Sequence, residues 1–94
     1  MEKRSSERFE VPLTSLNDGE TGTVISIKTG YGRGVGRGWG FKKRLMDMGL
    51  TPGTRVKVVK SAPFHGPLEI LVRGSRLALG RGMAERIFVE IEKQ

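Results

Sequence analysis

Arg44-Leu-Met-Asp-Met-Gly-Leu-Thr-Pro-Gly-Thr-Arg-Val56 holds the end of a helix, its cap, a turn and the start of a strand. Reading back from it, Phe41, Leu45 and Met48 fall at i, i+4 and i+7, one face of a short helix, while Lys42, Lys43 and Asp47 are directed elsewhere. Gly49 ends that helix as a left-handed cap. In Thr51-Pro-Gly-Thr54, Pro52 presets φ and Gly53 accepts the positive φ of a type II turn. The chain then enters Arg55-Val-Lys-Val-Val-Lys60, where Val56 and Val58 alternate with basic residues, as expected of a half-exposed strand.

Working outward, Pro63-Phe-His-Gly-Pro67 reads as a hairpin loop and Leu68-Glu-Ile-Leu-Val-Arg73 as the returning strand. Gly74 turns the chain into a short strand around Arg76-Leu-Ala-Leu79, and Gly80 to Glu85 has room for one helical turn despite its two glycines. Arg86-Ile-Phe-Val-Glu-Ile91 closes with Ile87, Val89 and Ile91 on one face. On the N-terminal side, Leu13 and Leu16 precede a polar Asn17-Asp18-Gly19 turn, and Thr23-Val-Ile-Ser-Ile-Lys28 is the first strand. The expected fold is mainly β: about five short strands, one short helix inserted after the first strand, closed into a small barrel that hides strand edges. That domain covers residues 11–92; residues 1–10 read as a flexible N-terminal tail.

The chain has 94 residues, with 17 Lys plus Arg against 10 Asp plus Glu, a formal charge of +7. Fourteen glycines leave few side chains to fill a core, and a domain this small cannot carry a deep cleft beside a packed interior. A large multi-substrate enzyme is excluded. The lack of cysteine excludes disulfides, thiolate zinc sites, iron–sulfur clusters and a cysteine nucleophile. Met1-Glu-Lys-Arg-Ser-Ser-Glu-Arg-Phe-Glu10 has no apolar run of the signal-peptide kind, and no stretch reaches the ~20 apolar residues of a membrane span. The expected location is the cytoplasm.

Charge is concentrated between Lys28 and Arg44, where Lys28, Arg33, Arg37, Lys42, Lys43 and Arg44 occur without an Asp or Glu. The same segment contains Gly30-Tyr-Gly-Arg-Gly-Val-Gly-Arg-Gly-Trp-Gly40, a glycine-rich insertion. Extended, it would project Tyr31, Arg33, Val35, Arg37 and Trp39 from one face; the same glycines suit a mobile loop. Aromatics interleaved with arginines fit stacking and phosphate contact on single-stranded nucleic acid, or docking on a protein or lipid headgroup. Strict alternation cannot supply the odd offset of a dinucleotide-binding fingerprint, and Gly40-Phe41-Lys42 lacks the Gly-Lys-Ser/Thr ending of a phosphate-binding loop.

No nucleophile and base are set out for catalysis. His65 is the sole histidine and the candidate ligand for weak transition-metal binding, Fe²⁺ or Zn²⁺, with Glu69 and Glu85 as conceivable co-ligands; Met46, Met48 and Met83 are soft enough for copper(I) but suit gap-filling in a thin core better. No cofactor is required. The docking candidates are Tyr31, Arg33, Arg37, Trp39, Lys42, Lys43 and Arg44, the last three also serving as a solvated helix face.

Leu13-Thr-Ser-Leu-Asn-Asp-Gly-Glu-Thr-Gly-Thr-Val-Ile-Ser-Ile27, Arg44 to Val56 as quoted above, Gly74-Ser-Arg-Leu-Ala-Leu79 and Ala84-Glu-Arg-Ile-Phe-Val89 together resemble the FeoA family. The resemblance runs in order from about Val11 to Glu92. It implies an SH3-like barrel and a small cytoplasmic accessory protein of bacterial ferrous iron uptake. The implied partner is the cytoplasmic part of the membrane transporter FeoB, which carries a GTPase domain; the basic residues Lys42, Lys43 and Arg44 add the expectation of anionic lipid contact at the inner membrane face. A nucleic-acid-binding module is the alternative reading. Two places depart from the family pattern: the expanded link at residues 30–40 and the glycines of Gly80-Arg-Gly82. Oligomeric state is not legible in the sequence.

Overall fold

The computed structural model describes residues 7–28 and 35–93. Six strands, β1 (Glu7–Pro12), β2 (Thr21–Ile27), β3 (Arg55–Ser61), β4 (Leu68–Val72), β5 (Ser75–Leu79) and β6 (Ile87–Lys93), form one sheet in the order β1-β6-β2-β3-β4-β5. Every neighbouring pair is antiparallel. A helix, α1 (Val35–Asp47), lies between β2 and β3, a single 3-10 turn (Leu13–Ser15) follows β1, and a four-residue helix, α2 (Arg81–Ala84), precedes β6.

The alternation read from the sequence sets the inner face. Val56 and Val58 of β3, Leu68, Ile70 and Val72 of β4, and Ile87 and Val89 of β6 are buried in one cluster with Leu13, Val24, Leu45, Leu50, Leu79 and Ala84. Because β2 to β6 all contribute to that cluster, the sheet wraps around it. Each of these Val, Leu and Ile side chains, once buried, contributes about 1.5–3 kcal/mol.

The stretch from Arg44 to Val56 folds as its residues dictate. Gly49 has φ of +100°, its N–H donates to the carbonyl of Met46 (3.0 Å), and the Leu50 N–H donates to the carbonyl of Leu45 (3.0 Å). That pair of bonds is the Schellman arrangement, and its apolar partners Leu45 and Leu50 are both fully buried. The following turn closes with the Thr54 N–H on the Thr51 carbonyl (3.0 Å), and the Gly53 N–H donates to Val24 (2.8 Å). The helix end is thereby fixed against β2.

Three expectations are modified. First, Glu7 to Pro12 form a strand instead of a tail, paired with β6 from Glu7↔Lys93 to Pro12↔Phe88. Arg8-Phe-Glu-Val11 alternates polar and apolar residues, a strand pattern masked by balanced charge, and Val11 packs on the core. Among the described residues the sheet therefore has six strands instead of five. Residues 1–6 lie outside the described residues. Second, α1 begins at Val35, six residues before the apolar spacing starts it, so residues 35–40 of the glycine-rich insertion are helical and not extended. Glycine favours neither state by side-chain contacts, and once the turns around Leu45 are formed each added residue gains one backbone bond. Residues 30–34 lie outside the described residues. Third, hydrogen bonding along the sheet ends at β1 and β5, which leaves two edge strands among the described residues.

Candidate docking surface

Of the docking residues taken from the sequence, Lys42, Lys43 and Arg44 have described side chains, and these three do not share one face. Tyr31 and Arg33 lie outside the described residues; Arg37 and Trp39 have helical backbones in α1, and their side chains lie outside the description. Lys42 is half-buried, whereas Lys43 and Arg44 are exposed. Consecutive helix positions are turned by about 100°, so these three cations point in different directions around α1. The Lys43 ammonium is also engaged, 3.3 Å from the Asp47 carboxylate one turn on. Lys28, at the other end of the basic segment, stands over the Phe88 ring of β6 at 5.3 Å from its centroid.

His65 is exposed in the loop between β3 and β4, where it and Phe64 both have positive φ, 60° and 59°. Among the described residues no three His, Cys, Asp or Glu side chains come together as a metal site. Glu69 instead accepts a hydrogen bond from Arg76 at 3.1 Å. The loop is tied down by the Ala62 N–H on the Pro67 carbonyl (3.0 Å), the Gly66 N–H on Pro63 (3.1 Å) and the Arg81 guanidinium on the Gly66 carbonyl (3.2 Å). Its base is held by the neighbouring turn before β2, where the Ser61 N–H donates to the Asp18 carboxylate at 3.0 Å. At its tip Phe64 is 95% exposed.

Sheet register assembles a surface that linear spacing hides. With Val56, Val58, Ile70 and Val72 pointing inward, the outer face of β3, β4 and β5 carries Arg55, Lys57, Lys60 and Arg76. Lys57, Leu71 and Arg76 stand side by side across three strands. A bulge between Val58 and Lys60 turns Lys60 outward beside Glu69, the one carboxylate of this face among the described residues. Arg73, in the β4–β5 turn, reaches back to the Thr54 hydroxyl at 3.3 Å. A groove of about 410 Å³ beside β5 is lined by apolar side chains of the β3–β4 loop and β5 together with Lys60, Glu69 and Arg76.

The sequence reading had the residues of this face but not their grouping. Arg55, Lys57 and Lys60 were visible as the polar half of an alternating strand; their placement beside Arg76 depends on the β3–β4–β5 register. The opposite end of the sheet is acidic: Glu10 of β1 is in register with Glu90 of β6, and Glu92 pairs with Arg8 at 3.5 Å.

A small antiparallel sheet wrapped around one core, with a helix between β2 and β3, defines an SH3-like domain. The chain belongs to the FeoA family, whose domain profile matches residues 11–91. It is 35% identical over 79 residues to a putative Fe(2+) transport protein A of Methanocaldococcus jannaschii, covering 84% of each chain. It is 30% identical over 79 residues to a fusion of Fe(2+) transport protein A and the Fe(2+) transporter FeoB in Porphyromonas gingivalis, covering 84% of this chain and 8% of the fusion. Among solved structures, an iron uptake regulatory protein (FeoA) superposes with a TM-score of 0.70 at 34% identity, covering 88% of this chain and 99% of that one. A zinc complex of FeoA from Stenotrophomonas maltophilia, described as a procaryotic SH3 domain protein, shares the fold at 23% identity. Its TM-score is 0.69, with 86% of this chain and 95% of that one covered.

Proposed function

We propose that this chain is a small cytoplasmic accessory protein of ferrous iron uptake that binds the cytoplasmic part of the transporter FeoB and modulates it. The observation that carries this reading is the Porphyromonas gingivalis fusion, in which a segment similar to this domain is joined to FeoB in one polypeptide. A covalent link holds two domains at an effective concentration of about millimolar order. A separate chain needs a contact surface of its own to reach the same partner. The chain works by contact, without catalysis and without a required cofactor.

The outer face of β3 to β5 and the cations Lys42 and Arg44 support such contact. At the inner membrane face, each basic residue close to anionic headgroups adds about 1 kcal/mol, so a peripheral position beside the transporter is part of the proposal. The test is retention of the purified FeoB cytoplasmic domain on this immobilised chain, with GTP and with GDP. Retention in at least one nucleotide state is expected. No retention in either overturns the proposal, and salt-sensitive capture of single-stranded oligonucleotide in its place favours the nucleic-acid reading.

A further inference from the structure

The β4–β5 hairpin turns through Arg73 and Gly74, with φ of 51° and 84°. Two successive positive φ values make this a type I′ turn, which glycine enters at no steric cost and which matches the twist of its strands. In a two-residue hairpin of this kind, the pair closing the turn exchanges both backbone bonds, and bonded and non-bonded pairs then alternate. The register Val72↔Ser75, Leu71↔Arg76, Ile70↔Leu77, Glu69↔Ala78, Leu68↔Leu79 therefore directs the N–H and C=O of Ser75, Leu77 and Leu79 toward β4. Those of Arg76 and Ala78 point to the open edge, where they have no partner among the described residues.

From this we infer that the edge of β5 is a docking strand that takes up an extended, acidic segment of a partner polypeptide by strand addition. The inference rests on the reading of this chain as a contact module. Two outward N–H and C=O pairs, one residue apart, match the spacing at which an added strand bonds. The groove beside them has Ala62, Pro67, Leu77 and Ala78 for alternate apolar side chains, and its polar wall sets Lys60 and Arg76 against one carboxylate, Glu69, which Arg76 holds at 3.1 Å. The charges choose the partner: Arg55, Lys57, Lys60 and Arg76 outnumber Glu69, and Arg55, Lys57 and Lys60 have no ion-pair partner among the described residues. Edge strands are commonly blocked by a charge or a proline. Here Arg76 occupies the first open position, but Ala78 leaves the second uncovered. The other edge, β1, suits this ligand poorly, because the carboxylates of Glu7, Glu10, Glu90 and Glu92 outnumber Arg8 and Lys93 there and Pro12 has no N–H to offer.

The test is amide-resolved NMR on the full chain. In the free protein, the Arg76 and Ala78 amides should exchange with solvent at least about tenfold faster than Leu77, whose N–H is bonded to β4. A blocked peptide alternating Glu and Val should then shift Ser75 to Leu79, Lys60 and Ala62, more weakly at high salt, while a Lys/Val peptide should not. Ala78→Pro removes an edge N–H without removing a β4–β5 bond and should weaken the Glu/Val peptide by about tenfold or more. Arg76→Glu should weaken it likewise and decides the matter if circular dichroism shows that the proline variant is unfolded. Solvent-protected Arg76 and Ala78 amides in the free chain overturn the inference. So does an equal response to both peptides, or a response of this face to phosphatidylglycerol vesicles or oligonucleotide with none to the peptide. The titration needs no transporter: failed FeoB retention counts against the proposed function alone, and an unresponsive β5 with FeoB retained counts against the docking strand alone.

Discussion

At one end of the sheet β1 lays Arg8 and Glu10 beside Glu92 and Glu90 of β6; at the other, β5 lays Arg76 and Ala78 beside Leu71 and Glu69 of β4, with Lys57 and Lys60 one strand further in. Both ends are edges of the same antiparallel sheet, and both carry an exposed ion pair, Arg8–Glu92 at 3.5 Å and Arg76–Glu69 at 3.1 Å. They differ in the charge around those pairs and in the aromatic nearby: Phe9 of β1 is 43% exposed, whereas Phe64 stands on a tied loop at 95%. The acidic end tends to turn an acidic ligand away and the basic end to hold it. Opposite fields on one small domain would orient the proposed partner before contact, which gives charge separation more weight here than net charge.

The largest effect is expected where the two ends share a core. Ile70→Ala leaves a cavity under β4 and should cost about 2–5 kcal/mol in urea denaturation. β1 and β5 amides should lose protection at one midpoint; separate transitions would break the comparison by making the ends independent units. Removing residues 1–12 deletes β1 and the packing of Val11, an expected loss of about 1.5–3 kcal/mol. In hydrogen exchange it should expose β6 while β4 and β5 keep their protection, and uniform deprotection would show that β1 supports the whole barrel.

A smaller effect is expected at the clamp between Asp18 and Ser61. Asp18→Ala leaves the Ser61 N–H to water and should cost about 1 kcal/mol, with faster exchange at Ser61 and Ala62 than at β1. The smallest effects belong to the two edge ion pairs, both well exposed. Arg8→Ala and Arg76→Ala should each change stability by about 0–1 kcal/mol, yet only Arg76→Ala should reduce the salt dependence of acidic-peptide binding. Equal effects of the two on binding would remove the functional distinction between the ends.

Much of the fold was legible because local rules and tertiary packing agree. The positive φ at Gly49, the turn over Thr51 to Thr54 and the burial of Val56, Val58, Ile87 and Val89 all follow from spacing and side-chain type. Where they disagree, the sequence misleads. Val35-Gly-Arg-Gly-Trp-Gly40 contains poor helix formers, each glycine costing about 1 kcal/mol relative to alanine, yet its backbone continues α1. Glu7 to Glu10 belong to a stretch whose alternation is too short and too charged to tell strand from tail, and the long-range pairing with β6 is what makes it a strand. The proposed docking surface was the least legible part: Lys28, Lys42, Lys43 and Arg44 are close in sequence but spread between the end of β2 and different sides of α1, while Lys57 and Arg76 meet only through Leu71.

By itself, the sequence determined the strand faces, the capped helix end, the turns and the family, because each depends on residue type at short spacing. The tertiary structure decided that six strands share one sheet, which two are its edges, and that four cations of two separate strands face one way. Register sets these last features, and register comes from packing the inner faces together, which no single segment contains.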